Sequence, residues 1–287
     1  MSNPVSNGKA LEYAISADLI NSGAVGVGST TQYQARDKVH FDSRPIHTRT
    51  RFIEASKVIT SWIKQNLGSS VLEVKRMPDV SIDVADLVAS TKSGKNLRLS
   101  IKHNNTALKH SRPYSLAQAC SIKKKSIEDK DHRIKIANVA NRFKQIANKS
   151  GFLLCNQMPP KATSLLYQDV VDICAASISS WQFVYGSQVA DSLFRFLVGC
   201  DFYKVVVYPK LNGKIEIQDF SGIAMPSVVT PSSSGNGDYL MIEFNNKWII
   251  NCRIHTASGR ISKGNRQLDL KFDVKMINGT APISRIA

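Results

Sequence analysis

Two short runs of alternating apolar and polar residues, separated by a turn, constrain the fold of this chain most strongly. The runs cover residues 86–90 and 97–102, and a Ser-Gly pair lies between them. Successive side chains of a β-strand point to opposite faces of a sheet, so an antiparallel hairpin puts the leucines of both runs on one face. This register predicts that Asp86 lies across from Ser100 or Lys102, on the opposite face.

A carboxylate and a lysine on one face of a hairpin suit metal-dependent hydrolysis of phosphodiesters. Such chemistry needs a hard divalent cation held by carboxylate and carbonyl oxygens, and a group that orients water or stabilises developing negative charge. The strand register favours Asp86 as the metal ligand over Asp83 and Asp79. Lys102 is then the catalytic lysine, and the carbonyl of Ile101 could add a ligand. A strand-end aspartate and an exposed lysine also occur as purely structural residues, so the pattern alone leaves both interpretations open.

The chain is strongly basic, with 38 Lys and Arg against 22 Asp and Glu and a formal net charge of +16 over 287 residues. Such an excess predicts a polyanionic partner, because cationic side chains that neutralise phosphates release condensed counterions. A basic protein without a nucleic-acid role is the alternative. No signal segment, basic amphipathic helix or membrane-spanning apolar run is recognisable, so no membrane partner is expected. An odd number of widely spaced cysteines, five in all, predicts buried thiols in a reducing cytoplasm.

Hydrophobic periodicity predicts helices where apolar residues recur at three- and four-residue spacing, and strands where they alternate. The predicted helices cover residues 9–20 (with Asn7-Gly8 at the entry), 52–67, 116–149, 164–181 and 189–198. Besides the hairpin, the predicted strands cover residues 71–74, 203–208, 214–217, 239–244, 247–255 and 268–276. The last three are expected to form a meander. Together the elements predict an α/β fold, with a mixed central β-sheet flanked by helices, a helical insertion and C-terminal antiparallel strands.

Five stretches, spread from the first predicted helix to the last predicted strand, carry a resemblance to a known family. They are residues 8–14 (GKALEYA), 99–112 (LSIKHNNTALKHSR), 244–248, 253–258 and 268–274. These stretches resemble type II restriction endonucleases of the HaeIII type, within the PD-(D/E)XK nuclease superfamily. The Ser-Ile-Lys-His-Asn string is the most specific of them, whereas the lysine-rich middle of the chain, about residues 121–187, is not matched.

The resemblance implies Mg²⁺-dependent, sequence-specific hydrolysis of double-stranded DNA at a short palindromic site, which is GGCC for the type enzyme. It also implies a prokaryotic cytoplasmic protein with no small-molecule substrate, and a symmetric site favours a homodimer. In the superfamily an acidic residue lies two positions before the lysine, but Ser100 stands there in this chain. Glu12 is the candidate replacement, because helix glutamates often complete the metal site in this superfamily. The implied catalytic residues are therefore Asp86, Lys102 and Glu12.

A serine- and glycine-rich segment at residues 232–237 has the composition of a linker and predicts a domain boundary. Residues 1–230 would form the nuclease-like core, with a basic helical insertion at about residues 116–185. Residues 231–287 would form a β-rich portion packed on the core and contacting DNA. The lysines at residues 123–125 would lie on a helix, either as a solvated face or along the path of the phosphates.

Side chains that could read or hold DNA follow the hairpin and recur near the C-terminus. Arg112 and Arg253 could make bidentate contacts with guanine, whereas Asn104 and Asn105 suit adenine edges or the sugar-phosphate backbone. For each of them an ordinary surface role is the alternative. The histidines have no zinc-ligand spacing and no cysteine nearby, so no zinc site is predicted. The predicted DNA-binding residues are His103, Asn104, Asn105, Lys109, His110, Arg112, Arg253, His255 and Arg260.

Two other functions remain compatible with the sequence. One is a repair or recombination nuclease of the same superfamily, which would read DNA structure in place of sequence. The other is a DNA-binding module whose nuclease site has decayed at Ser100. The presence or absence of Mg²⁺-dependent cleavage separates the second alternative from both nucleases.

Overall fold

The computed structural model describes residues 4–67, 71–78, 84–104, 108–208, 213–235, 237–261, 266–279 and 281–286. Asp79, Asp83 and Asn105 lie outside the described residues. The helices are α1 (Pro4–Asn21), α2 (Thr30–Asp42), α3 (Ile46–Leu67), α4 (Leu116–Ala119), α5 (Ile127–Lys149), α6 (Pro160–Tyr185) and α7 (Ser187–Leu197). The strands are β1 (Val25–Gly26), β2 (Glu73–Arg76), β3 (Leu87–Ser90), β4 (Asn96–His103), β5 (Tyr203–Tyr208), β6 (Lys214–Asp219), β7 (Val229–Ser234), β8 (Tyr239–Phe244), β9 (Ile249–Thr256), β10 (Leu270–Asn278) and β11 (Ile283–Arg285).

The predicted α/β fold is confirmed, with the strands arranged in two separate sheets. A seven-stranded mixed sheet has the order β1-β2-β3-β4-β5-β6-β11. In it β1–β2 and β4–β5 are parallel pairs, and the other neighbours are antiparallel. A four-stranded antiparallel sheet has the order β10-β9-β8-β7, and it contains the predicted meander as β8, β9 and β10.

The chain divides into two compact units, and neither is one continuous stretch. The first unit comprises residues 1–106, 199–223 and 281–287, and the second comprises residues 107–198 and 224–280. The boundary expected at residue 230 does not coincide with this division. The helical segment of residues 116–185 also belongs with the C-terminal strands, not within the core. Contacts between distant elements are the physical reason. Strand β5 pairs with β4, and β6 pairs with β5, whereas α6 packs on β7 and β8.

The core of the first unit lies between its sheet and the helices α1 and α3. Leu11, Ile15 and Leu19 of α1 recur at four-residue spacing and are fully buried. They pack in one apolar cluster with Leu99 and Ile101 of β4 and with the apolar face of α3. The apolar residues that alternate along β4 therefore face the helices, as the sequence pattern predicts.

The second unit buries one face of its four-stranded sheet against helix α6. Val170, Cys174 and Ile178 recur at four-residue spacing along α6 and are fully buried. Phe194 of α7 meets the rings of Phe244 and Trp248 edge-on, with centroids 5.2 and 5.4 Å away. The other face of this sheet carries polar side chains of β9 and β10 that remain partly or fully exposed.

Three helix predictions differ from the structure. Helix α1 begins at Pro4, so the Asn7-Gly8 pair lies within the helix and not at its entry. A proline fits a first turn because its missing N–H would have no partner there. The basic helix expected over residues 116–149 is interrupted, and the lysines at 123–125 lie in the turn before Ser126 caps α5. Helix α2 has no periodic apolar face, so the sequence does not predict it.

The segment expected to be a linker, residues 232–237, begins as part of strand β7, and Asn236 lies outside the described residues. Ser232, Ser233 and Ser234 pair with β8 in antiparallel register. Strand β7 lies at the edge of its sheet, where a strand needs only one neighbour and tolerates polar side chains. Pairing with β8 therefore decides the structure here against the low strand propensity of serine.

No helix in the described parts of the chain is long and apolar enough to cross a membrane. All five cysteines are free, and the prediction of buried thiols holds for Cys120, Cys174 and Cys252, whereas Cys155 and Cys200 are only partly buried. Burial raises the pKa of each of the three buried thiols, so they remain protonated at neutral pH.

Candidate active site

The predicted hairpin register is confirmed. Strands β3 and β4 are antiparallel, with Leu87 opposite Leu99 and Ala89 opposite Leu97. Asp86, one position before β3, donates its backbone N–H to the carbonyl of Leu99 over 2.7 Å, and its side chain lies beside Ser100. The register therefore brings an acidic side chain to the end of the hairpin, next to Lys102.

The carboxylate of Asp86 is held by three donors from β4. Its Oδ2 atom accepts hydrogen bonds from the backbone N–H of Ile101 at 2.7 Å, from Lys102 Nζ at 3.2 Å and from Ser100 Oγ at 3.3 Å. The side chains of Asp86 and Lys102 are 22% and 28% exposed, so this ion pair stays accessible to a ligand. A backbone donor together with a lysine fixes the orientation of the carboxylate and places a cation beside it.

A buried arginine on the neighbouring strand connects this carboxylate to the first two helices. The side chain of Arg76 is 1% exposed, and its guanidinium donates to Glu12 Oε2 on α1 and, at 2.7 Å, to Asp37 Oδ2 on α2. The same group donates to the backbone carbonyl of Asp86 over 3.0 Å. One fixed fork of donors therefore joins α1, α2 and the start of β3.

The structure brings Glu12 to this site, as the resemblance implies. Its carboxylate also accepts from Lys9 Nζ at 2.9 Å. Burial raises the pKa of Glu12; Arg76 and Lys9 act in the opposite direction, while the negative charge of Asp86 adds to the rise. Glu12 is tied to this site through Arg76, whose guanidinium donates both to Glu12 Oε2 and to the backbone carbonyl of Asp86.

The donor set at this site fits a magnesium ion. Within the described residues, the hydrogen bonds of Asp86 reach only Oδ2 and those of Glu12 reach only Oε2. Asp86 Oδ1 and Glu12 Oε1 accept no hydrogen bond from those residues. Those residues contain no group of three or more acidic, histidine or cysteine side chains that could hold a metal. Two carboxylates match Mg²⁺, which retains several waters and takes further oxygens from substrate phosphates.

The residues that follow Lys102 are placed differently from one another. His103 packs edge-on against Phe52, with ring centroids 5.4 Å apart, and burial lowers the pKa of its imidazole. Asn104 is exposed at the end of β4 with a positive φ of 57°, and its backbone N–H donates to Val207. Asn104 is accordingly free to reach a ligand, whereas His103 contributes to packing against α3.

Most of the other predicted DNA-binding residues lie in the second unit, on or beside the exposed face of β9 and β10. Arg253 and His255 stand directly opposite Asp273 and Lys271. His110 lies next to them, with its Nδ1 atom 3.5 Å from Asp273 Oδ1. Burial, with the nearby charge of Lys271, lowers the pKa of His110. The structure therefore groups these three predicted residues on one polar surface of this unit.

Three further predicted residues of the second unit are placed apart from that surface or are already paired. Arg112 forms an ion pair with Asp269 just before β10. Lys109 lies with its Nζ atom 5.0 Å from the centre of the Phe196 ring. Arg260 is exposed and lies in a short bridge with Leu154. These contacts give each of them a structural role besides any role in DNA binding.

Sequence reasoning missed two members of the site, Arg76 and Asp37. Arg76 follows Lys75 at the end of a short strand, and nothing in that basic pair distinguishes a buried arginine from an exposed lysine. Asp37 lies on α2, which has no apolar periodicity. The usable signal was indirect and concerns only Arg76, which shares one face of β2 with the buried Val74 two positions earlier.

Comparison of the chain with models of protein families, with curated proteins and with solved structures found no match.

Proposed function

We propose that this protein is a Mg²⁺-dependent endonuclease that hydrolyses double-stranded DNA, of the type II restriction class that its sequence resembles. The observation that carries the proposal is the accessible ion pair of Asp86 and Lys102, 3.2 Å apart, with Glu12 as the neighbouring carboxylate. A formal charge of +16 supports a polyanionic substrate.

The residues of the site have distinct roles in this proposal. Asp86 and Glu12 would hold the cation through their remaining oxygens, and the carbonyl of Ile101 could add a third ligand. A bound magnesium ion supplies Lewis acidity and lowers the pKa of coordinated water. Lys102 binds a phosphate oxygen and stabilises the negative charge that develops as water attacks phosphorus. Arg76 keeps Glu12 in place beside Asp86.

The resemblance extends the proposal to specificity. It suggests a short palindromic site, with GGCC as the sequence to test first, and a homodimer whose two-fold axis matches that of the DNA. The polar surface of β9 and β10 supports base or phosphate contacts, because Arg253 is 61% exposed and its ion pair with Asp238 spans 3.8 Å. An arginine with such a weak partner is available for the donor–acceptor pattern of guanine.

A DNA-binding protein without cleavage is the second candidate, and one observation favours it. Ser100 is neutral and buried, and Glu12 Oε2 is already engaged by Arg76 and Lys9. A site of this kind carries less negative charge than one with three carboxylates, which weakens its hold on a divalent cation. Cleavage of DNA under Mg²⁺ is therefore the observation that distinguishes the two candidates.

The test is to incubate the protein with a plasmid of known sequence, with Mg²⁺ or Mn²⁺ and with EDTA as the control, and to map the ends. Discrete, metal-dependent fragments whose ends share a short palindrome support the restriction activity. Ends that cluster at branches or flaps added to the substrate would indicate a structure-specific nuclease. If the plasmid stays intact with every metal and the protein binds duplex DNA sequence-specifically, the proposed nuclease function is rejected in favour of a DNA-binding protein.

A further inference from the structure

A second lysine lies on the same sheet face as the candidate site and has no role in the function proposed above. Lys204 on β5 is the parallel partner of Ser100 on β4, and Ser100 in turn lies beside Asp86. Val205 and Val207 belong to the apolar cluster beneath α1 and α3, so Lys204 faces the opposite side of the sheet with Ser100 and Lys102. Asp86, Ser100 and Lys204 thus form one row across three adjacent strands.

The charge of Lys204 is not balanced by a carboxylate in the parts of the chain that the structure describes. The residue is 3% exposed, and its Nζ atom lies 5.0 Å from the centre of the Phe220 ring. Its partners on either side in the sheet, Ser100 and Gln218, are neutral. Burial lowers the pKa of Lys204 to about 8, and the nearby charge of Lys102 acts in the same direction.

A buried cation of this kind is stabilised by a bound anion. At neutral pH a lysine with this pKa is still mostly protonated, and an unpaired ammonium inside a protein is costly. The contact with Phe220 offsets part of that cost, but an aromatic ring has no net charge. The ammonium of Lys102, on the neighbouring strand, supplies further donors for a tetrahedral oxyanion, whereas the single hydroxyl hydrogen of Ser100 is donated to Asp86 Oδ2.

We propose that Lys102 and Lys204, on either side of the neutral Ser100, form a binding subsite for a phosphate group, in which Lys204 is the second cationic contact. This proposal depends on the proposed nuclease function in one respect, which is that the phosphate group would come from the DNA backbone. Free inorganic phosphate has the same chemistry, so it can probe the subsite without any cleavage. In this arrangement the neutral side chain at position 100 adds no negative charge beside Lys204, whereas a carboxylate there would repel phosphate.

The experiment uses the full-length protein labelled at lysine Cε and Nζ, with the Lys204 signal assigned from the variant Lys204→Met. Inorganic phosphate is titrated against sodium chloride of equal ionic strength, and a short DNA duplex is then titrated in the presence of Ca²⁺. Methionine keeps the volume and apolar packing of the stem against Phe220, so the fold is retained. Lys92→Met, in the exposed turn of the hairpin, is the matched control.

We expect a saturable shift of the Lys204 signal with phosphate and with duplex. Phosphate affinity should fall about tenfold in Lys204→Met, as expected for one charged contact, and should stay unchanged in Lys92→Met. If the Lys204 signal does not move, or if Lys204→Met binds phosphate like the parent, the proposal is overturned and the ammonium is only packed on Phe220. Should Lys204→Met fail to fold, the variant Lys204→Arg provides the assignment of the Lys204 signal. The response of that signal to phosphate in the parent protein then tests the proposal.

The same data separate the subsite from the nuclease. Phosphate binding at Lys204 in a protein that neither binds nor cuts duplex DNA would support the subsite and overturn the proposed function. Cleavage of plasmid DNA with no response of Lys204 to either ligand would support the function and overturn the subsite.

Discussion

The guanidinium of Arg76 donates a hydrogen bond to the backbone carbonyl of Asp86 over 3.0 Å. The arginine that holds the carboxylates of Glu12 and Asp37 therefore also holds the chain just before β3. A helix glutamate and a hairpin aspartate that are distant in sequence are positioned by one buried side chain. Stability and the candidate chemistry consequently depend on the same residue.

Replacing Arg76 by methionine should destabilise the first unit strongly. The change removes the buried cation that Glu12 and Asp37 share and leaves them only their second partners, Lys9 and Arg36. Breaking a buried charge network in this way typically costs about 3–5 kcal/mol. Urea unfolding, followed by circular dichroism, measures the free energy of unfolding. Arg36→Met is the control, because Arg36 pairs with Asp37 from a side chain that is 40% exposed. Similar unfolding midpoints for the two variants would contradict the connecting role of Arg76.

Replacing Lys102 by methionine should abolish cleavage and preserve the fold. The ammonium lies 3.2 Å from Asp86 Oδ2, and loss of one donor that stabilises transition-state charge typically lowers turnover by about 10²–10³-fold. Binding of duplex DNA in Ca²⁺ should change little by comparison. Lys92→Met, in the turn of the same hairpin, should cut like the parent. Cleavage by Lys102→Met at the parental rate would exclude the site described here.

Replacing Arg253 by methionine should weaken binding to the cognate sequence more than binding to random duplex. The loss of a bidentate contact to guanine costs about 1–3 kcal/mol of discrimination. Competition between a palindromic duplex and a scrambled one measures the ratio of affinities. Arg195→Met on α7, where Arg195 pairs with Asp191 one turn away, is the control. An unchanged ratio in Arg253→Met would remove this residue from the recognition surface.

The stability of the protein should fall as pH drops below about 6.5, in part through His132. This imidazole is buried between Ser177 Oγ at 2.9 Å and the carbonyl of Pro113 at 2.8 Å, and burial lowers its pKa from 6.5. The unfolded chain therefore binds a proton that the folded protein binds less readily, so unfolding free energy decreases as pH falls from about 6.5 toward the lowered value.

Urea unfolding of the parent and of His132→Gln at pH 7.5, 6.5 and 5.5 measures this effect. Glutamine can still hydrogen-bond but does not titrate, so the variant should lose less stability between pH 6.5 and 5.5 than the parent. His103 and His110 also have lowered pKa values, and some pH dependence should remain. Parallel pH profiles for the two proteins would show that His132 does not contribute.

The hairpin and its register were predictable, whereas the partners of its carboxylates were not. Alternation with a period of two decides which face each residue of β3 and β4 takes, and the turn limits the pairing, so the neighbourhood of Asp86, Ser100 and Lys102 follows from local sequence. The positions of Arg76 and Lys204 depend on contacts with elements far along the chain. Periodicity carries no information about such contacts.

The same distinction explains the errors in the fold. Ser232 to Ser234 have the composition of a linker, but pairing with β8 makes them a strand. The boundary expected near residue 230 does not coincide with the division into units for a related reason, because α6 packs on β7 and β8 and because β11 pairs with β6. Composition describes what a segment tolerates, and long-range pairing decides which of the tolerated structures it adopts.

The interleaving of the two units affects how the protein is made. The hairpin that carries Asp86 and Lys102 leaves the ribosome early, but β4 gains its parallel neighbour only when Tyr203–Tyr208 has been synthesised, and β6 waits for Ile283–Arg285. Such distant pairings close late, because each needs a long loop to form first. A nascent chain thus carries the hairpin with β4 as an open edge until β5 has been made, and the edge of β6 stays open until β11 pairs with it.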